Sequence, residues 1–253
     1  MTKRLSGRVV VITGAGGGLG QTSARIFARE GAKLVLIDIN EEGLKQTAAM
    51  VEEEGSSATI HAFDLSQEST IQQQGEGLCR QYPSIDVLFN NAGVAYGEIN
   101  GMIDALDQEK WLRYLSINTL APLFVAKALQ PSLAAAKGVV INQSSMASYA
   151  PATVYGVTKA ALNSMTYGMA NIFAPDGIRV NAIAPGIMET PANKAGLTEE
   201  TYARVQGMQL TPVHGTAEDI ANLALFLASD EARFINCEIV NCDAGNRLRA
   251  WRG

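Results

Sequence analysis

Val9–Gly20 reads VVVITGAGGGLG. Five β-branched residues run straight into a stretch in which five of seven positions are glycine, Gly14 to Gly20. Glycine gives up more backbone freedom on folding than any other residue, so such a cluster needs a cause. A strand that turns through glycines into a helix has one. Its backbone can approach an anion closely, and the helix N-terminus offers unpaired N–H groups to a pyrophosphate. The spacing here, Thr13-Gly14-x-x-x-Gly18-x-Gly20, is wider than the best-known dinucleotide fingerprint, and by itself it also suits a plain tight turn. The context favours the anion site. Asp38 closes the next strand, 18 residues past Gly20, where a carboxylate can accept hydrogen bonds from a ribose diol and repel a 2′-phosphate. Asp38 or Asn40 could equally cap the helix that follows.

Outward from that turn, strand-like and helix-like patterns alternate to the end of the chain. Strands are expected at Arg8–Thr13, AKLVLID, SATIHAFDL, IDVLFNNAG, GVVINQSS, IRVNAIAPG and CEIVNCDAG. Helices are expected between them, including a long one over Gln108–Leu129 and another over Tyr155–Phe173. Several strands are apolar on both faces. That pattern predicts an α/β fold with about seven parallel strands and helices on both faces. Residues 188–212 break the rhythm and read as a lid near a site.

Composition sets the outer limits. The 253 residues can bury one large core, and we expect one domain over 1–253. A net charge of −5 without a basic block argues against nucleic acid or an anionic membrane as partner. No apolar run is long enough to span a bilayer, and a strand starting within ten residues of Met1 leaves no room for a signal peptide. Three scattered cysteines, Cys79, Cys237 and Cys242, make neither a disulfide framework nor a zinc spacing. With only His61 and His214, no metal site is expected, and a cytoplasmic setting is.

Further along, NNAG (Asn90–Gly93) ends the fourth strand, Asn118 lies in the long helix, INQSS ends at Ser145, Tyr155 and Lys159 form Y-x-x-x-K, and NAIAPG ends at Gly186 with Thr190 after it. In this order, with the glycine turn, these motifs resemble the short-chain dehydrogenase/reductase family from about Leu5 to Gly245. The resemblance implies a single doubly wound Rossmann-type domain, a nicotinamide cofactor and a homo-oligomer, dimer or tetramer. It assigns catalysis to Ser145, Tyr155, Lys159 and Asn118. It places the cofactor on Gly14, Gly18, Leu19, Gly20, Asp38 and Ile39, with Asp64 and Leu65 flanking adenine. Asn91, Ala92 and Gly93 would line the adenosine ribose. Lys159 would hold the nicotinamide ribose, Ile187 and Thr190 would meet the carboxamide and phosphates, and Tyr155, Pro185 and Gly186 complete the cofactor contacts. Gly17 stands where NADP-dependent relatives often carry a basic residue, so with Asp38 the expected cofactor is NAD.

The chemistry suits these residue types. Moving a hydride to or from an alcohol carbon also requires moving the hydroxyl proton. Tyr155 and Lys159 share a helix face, and a lysine cation together with an oxidised nicotinamide favours the phenolate. Ser145 would steady the substrate oxygen. Its ten-residue interval to Tyr155 is shorter than the common family pattern, which leaves Ser144 as the competing register. Pro122 lacks an N–H, so the carbonyl of Asn118 loses its helical partner and can bind a relay water; Pro122 is otherwise a packing kink. The expected substrate wall, Ala95, Tyr96, Met146, Tyr149, Met188 and the lid, is mainly apolar or small. It suits a small, uncharged, moderately hydrophobic alcohol or ketone. The arginine-rich tail NRLRAWRG reads as a solvated end, a subunit contact or a site for an acidic substrate. Two other functions fit less well: an NADP-dependent 3-oxoacyl-thioester reductase, disfavoured by Asp38, and a catalytically silent nucleotide sensor, disfavoured by the presence of both Tyr155 and Lys159.

Overall fold

The computed structural model describes residues 3–189 and 196–249. Seven strands form one sheet: β1 Val9–Thr13, β2 Lys33–Asp38, β3 Ala58–Ala62, β4 Val87–Asn90, β5 Val139–Gln143, β6 Arg179–Pro185 and β7 Ile239–Cys242. Their order is 3-2-1-4-5-6-7, and every neighbouring pair is parallel. Each strand is shorter than the apolar run that announces it. The residues trimmed from the carboxyl ends, such as Asn91–Gly93 after β4 and Ser144–Ser145 after β5, leave the sheet to build the rim of a cleft.

The helices are α1 Gly18–Arg29, α2 Glu41–Glu53, α3 Glu68–Gln81, α4 Gln108–Leu115, α5 Ala121–Ala136, α6 Val154–Phe173, α7 Glu199–Gln206 and α8 Ala217–Ala228, before a last turn at Asn246–Arg249. Strand alternation divides the core in two. Val10, Ile12, Leu34, Leu36, Phe89, Ile141 and Ile183 pack under α1, α2 and α8. Val11, Val35, Ile37, Leu88, Val140 and Val180 pack under α3, α5 and α6. Burial on both faces explains why these strands lack a polar side. In α1 the buried Ala24, Phe27 and Ala28 fall on one stripe, and Phe27 meets Phe89 with ring centroids 6.5 Å apart.

The long helix differs from its expected form. It runs beyond Leu129 to Ala136 and is interrupted by a π-helical turn at Ser116–Leu120, where the Ala121 N–H donates to the Ser116 carbonyl. Pro122 follows this turn directly, in the first turn of α5, and has no N–H to bond back along the continuing helix. The widened turn carries Asn118.

Candidate active site

Strand order reverses between β1 and β4. Ligands in open α/β sheets settle at the carboxyl ends of the strands beside such a reversal. A cavity of about 810 Å³ lies there.

Its floor answers the glycine question. Gly14 has φ +66°, and a Cβ there would stand 2.7 Å from Ala92 Cα. A Cβ on Gly20 would collide with the carbonyl oxygen of Gly14. The first glycine turns the chain, and the last lets α1 sit directly on the turn. No side chain caps α1 at Gly17, and its first turn holds no acidic residue. Its leading N–H groups therefore point at the cavity without a built-in competitor. Beside this cradle the strand ends are sewn together. Thr13 Oγ1 accepts from the N–H groups of Asn91 and Ala92 at 3.1 Å, and Asn91 Nδ2 donates to the carbonyls of Thr13 and Gly14 at 3.1 and 3.0 Å. The Asn91 amide is thus a clamp, while Asn91, Ala92 and Gly93 still line the cavity.

At the other end, Asn40 caps α2, accepting from Gly43 N–H at 3.1 Å. Asp38 is therefore not the helix cap. One carboxylate oxygen accepts from Gly16 N–H at 2.8 Å and the other from Asn40 N–H at 2.9 Å, which leaves each with acceptor capacity toward the cavity. Ile39 presents an exposed apolar face beside it, with Asp64 and Leu65 opposite. Pro185, Gly186 and Ile187 line the far wall. Gly186 passes so close to β7 that a Cβ would stand 2.7 Å from Asp243 Cα. Thr190 lies outside the described residues.

Ser145, Tyr155 and Lys159 meet in the middle. Thr153 caps α6, accepting from Gly156 N–H at 3.1 Å, and so presents Tyr155 and Lys159 one turn apart. Lys159 is 3% exposed and donates to the Gln143 carbonyl at 2.7 Å; its Nζ lies 5.8 Å from the Tyr155 ring centroid. Burial pulls the Lys159 ammonium down to about 8. Burial likewise pushes the Tyr155 phenol up to about 12, against a hydrogen bond with Ser145 that acts the other way. The expected phenolate is therefore not a property of the chain by itself: Lys159 sits over the ring and does not overcome desolvation.

Both Ser144 and Ser145 border the cavity, but their partners differ. Ser144 continues the pairing with β6 and donates to Asn163 Oδ1 at 2.5 Å, and Asn163 in turn donates to Ser148. Asn118 is fully buried and absent from the cavity wall. Its Oδ1 accepts from Val94 N–H at 2.8 Å, and its Nδ2 donates to Val94 O at 2.9 Å and Thr158 Oγ1 at 3.1 Å. That side chain ties the loop after β4 to α6.

The substrate wall needs correction. Ala95, Tyr96, Met146 and Met188 line the cavity, although Met188 also belongs to the core at 5% exposure. Tyr149 does not line it. Its half-buried ring instead lies beneath the Arg247 guanidinium, 4.9 Å from the centroid, and this cation–π contact anchors part of the arginine-rich tail. Trp251 and Arg252 lie outside the described residues. Of the expected lid, residues 190–195 are likewise outside; Leu197, Thr201 and Val205, the last two on α7, reach the cavity. Sequence reasoning missed Gln143, Arg113 and Ile117, which also line it. The helical spacing of Arg113 and Ile117 offered a signal, as did the place of Gln143 two residues before Ser145.

Among the described residues, no helix is long and apolar enough to cross a membrane. Comparison with known proteins accords with this architecture. The family profile described as Enoyl-(Acyl carrier protein) reductase matches residues 14–247. "Dehydrogenase/reductase SDR family member 6" of Xenopus laevis is 33% identical over 92% of this chain and 94% of its own. A solved putative short-chain alcohol dehydrogenase from Sinorhizobium meliloti superposes with a TM-score of 0.89 at 30% identity, covering 98% of this chain and 99% of that one. Carveol dehydrogenase from Mycobacterium avium, solved in complex with NAD, gives 0.87 at 26% identity over 98% and 100% of the two chains. The chain belongs to the short-chain dehydrogenase/reductase family of oxidoreductases.

Proposed function

We propose that this protein is an NAD-dependent oxidoreductase that transfers a hydride between nicotinamide and a small, moderately hydrophobic secondary alcohol or its ketone. The observation that carries the reading is the meeting of Ser145, Tyr155 and Lys159 in the same cavity as the glycine cradle and Asp38. The cradle fits a pyrophosphate because Gly14 and Gly20 let the turn and α1 pack closely, while Gly17 and Gly18 face open space at the uncapped N-terminus of α1. When bound, the cofactor supplies the two-electron chemistry. Ser145 then holds the substrate oxygen, and Tyr155 gives that oxygen a proton in reduction or takes one in oxidation. Lys159, anchored on the Gln143 carbonyl, stands beside Tyr155 as the next group in a proton path, and Asn118 on the π turn ties the loop after β4 to the helix that carries both.

The screen that tests this follows NADH absorbance with a panel of secondary alcohols; the absence of turnover across the panel would speak for a silent nucleotide-binding protein. The family profile's description raises a second reading, reduction of an acyl thioester, which predicts NADPH oxidation with 3-oxoacyl or enoyl thioesters and not with simple ketones.

Asp38 supports NAD as the cofactor. A 2′-phosphate beside its carboxylate meets like charge, which costs several kcal/mol. We expect kcat/KM to favour NAD over NADP by about 10²-fold or more, and Asp38→Ser to narrow that ratio at least tenfold. An NADP preference in the wild type sinks the assignment.

The Tyr155 titration gives a separate check. Because burial raises this pKa, the protonated phenol persists through the ordinary tyrosine range, and ionisation comes only near 12. The difference in phenolate absorbance between the wild type and Tyr155→Phe should therefore be absent at pH 10 in ligand-free protein. It should appear at lower pH once NAD⁺ brings its positive charge. A Tyr155 phenolate at neutral pH without cofactor contradicts the balance described above.

A further inference from the structure

Gln143 closes β5 with a side chain that the protein fold leaves unused. The residue is 7% exposed, and its Oε1 is buried with no hydrogen-bond donor among the described residues. An amide oxygen withdrawn from water without a partner is destabilising, so its presence calls for an explanation. The main-chain carbonyl of the same residue is already in use, accepting from Lys159 Nζ. The side chain borders the cavity, so a donor on a ligand bound there can reach it.

Strand geometry says where along the cavity this donor must sit. Side chains of Val139, Ile141 and Gln143 share one face of β5. Val139 and Ile141 lie in the core beneath α1 and α8, together with Met188 and the nearby Leu19. Ile183, the β6 partner of Gln143, belongs to the same core. Tyr155 and Lys159 rise from α6, which covers the opposite face. Gln143 therefore borders the cavity from the sheet face shared with Leu19 and Met188, opposite the face covered by α6.

This step rests on the dinucleotide reading above. A dinucleotide whose adenosine lies at Asp38 and Ile39 leaves one amide N–H₂ donor at the β5–β6 end, the carboxamide of nicotinamide. We infer that Gln143 accepts a hydrogen bond from that carboxamide and so fixes the rotation of the nicotinamide ring in front of Tyr155. Gln143 is thus a positioning residue for the cofactor.

The test is calorimetric titration of the wild type and Gln143→Met with NAD⁺ and with ADP-ribose, which lacks the nicotinamide. Methionine keeps the length of the side chain and the Lys159 anchor while removing the acceptor. We expect Kd for NAD⁺ to rise about tenfold, the worth of one such hydrogen bond, and Kd for ADP-ribose to stay within about twofold. The ligand-free variant should melt about 2–4 °C higher, because an orphaned buried acceptor has gone. An unchanged NAD⁺ affinity overturns the inference, including the case in which only the KM for the alcohol rises. Equal losses for both ligands, or a lower melting point with both affinities reduced, overturn it too. If the wild type binds neither NAD⁺ nor ADP-ribose, the dinucleotide reading itself fails.

Discussion

Tyr155→Phe lowers kcat by about 10³-fold or more and leaves the Kd for NAD within about threefold. Proton transfer by a positioned side chain contributes about 10²- to 10⁴-fold, and the phenol is placed to carry the proton here. The phenyl ring still fills the space beside Lys159 and still faces its ammonium, so packing and the cofactor cradle are preserved. Only the hydroxyl and its bond with Ser145 are lost. The two directions should also differ with pH in the wild type. Reduction draws on the protonated phenol, which burial stabilises up to about 12, so it should persist well into alkaline solution. Oxidation needs the deprotonated form and should rise with pH. A variant keeping more than about a tenth of the wild-type rate would remove Tyr155 from the proton path.

Ser145→Ala lowers kcat by about 10²-fold, within the range for losing one donor to the reacting oxygen. Ser144→Ala should leave kcat within about threefold and act on stability instead. Its hydroxyl donates to Asn163, and both groups are buried, so removing it strands an acceptor in the core. That loss costs about 1–3 kcal/mol. Measuring kcat and thermal unfolding for both variants separates the roles. A larger rate loss in Ser144→Ala, or equally small losses in both, would mean that the register after β5 is wrong.

Much of this was legible in the order of residues. Apolar runs such as KLVLID cannot be mistaken for half-exposed strands, because they have no polar side to turn to water; alternating with helical periods, they leave a parallel sheet as the economical solution. The glycines of the β1–α1 turn are legible for a similar reason. The requirement they meet, a positive φ or a missing Cβ, belongs to the local backbone.

What lay beyond reach depends on groups distant in the chain. Asn118 reads as a relay residue, and only the fold shows its side chain buried between Val94 and Thr158. Tyr149 reads as substrate wall until Arg247, 98 positions on, takes its ring. The ionisation of Tyr155 could be argued from Lys159 in sequence, yet its direction in the ligand-free protein is set by how completely the assembled cavity excludes water. The place of Gln143 two residues before Ser145 hinted at the cavity, but its orphaned acceptor exists only once the surrounding described segments have closed and supplied no donor. The sequence by itself determined the elements, their parallel arrangement and the chemical groups at the strand ends, because propensity and period act over a few residues. The tertiary structure alone decided which of those groups face the cavity and in which protonation state, because burial and partners come from segments far apart along the chain.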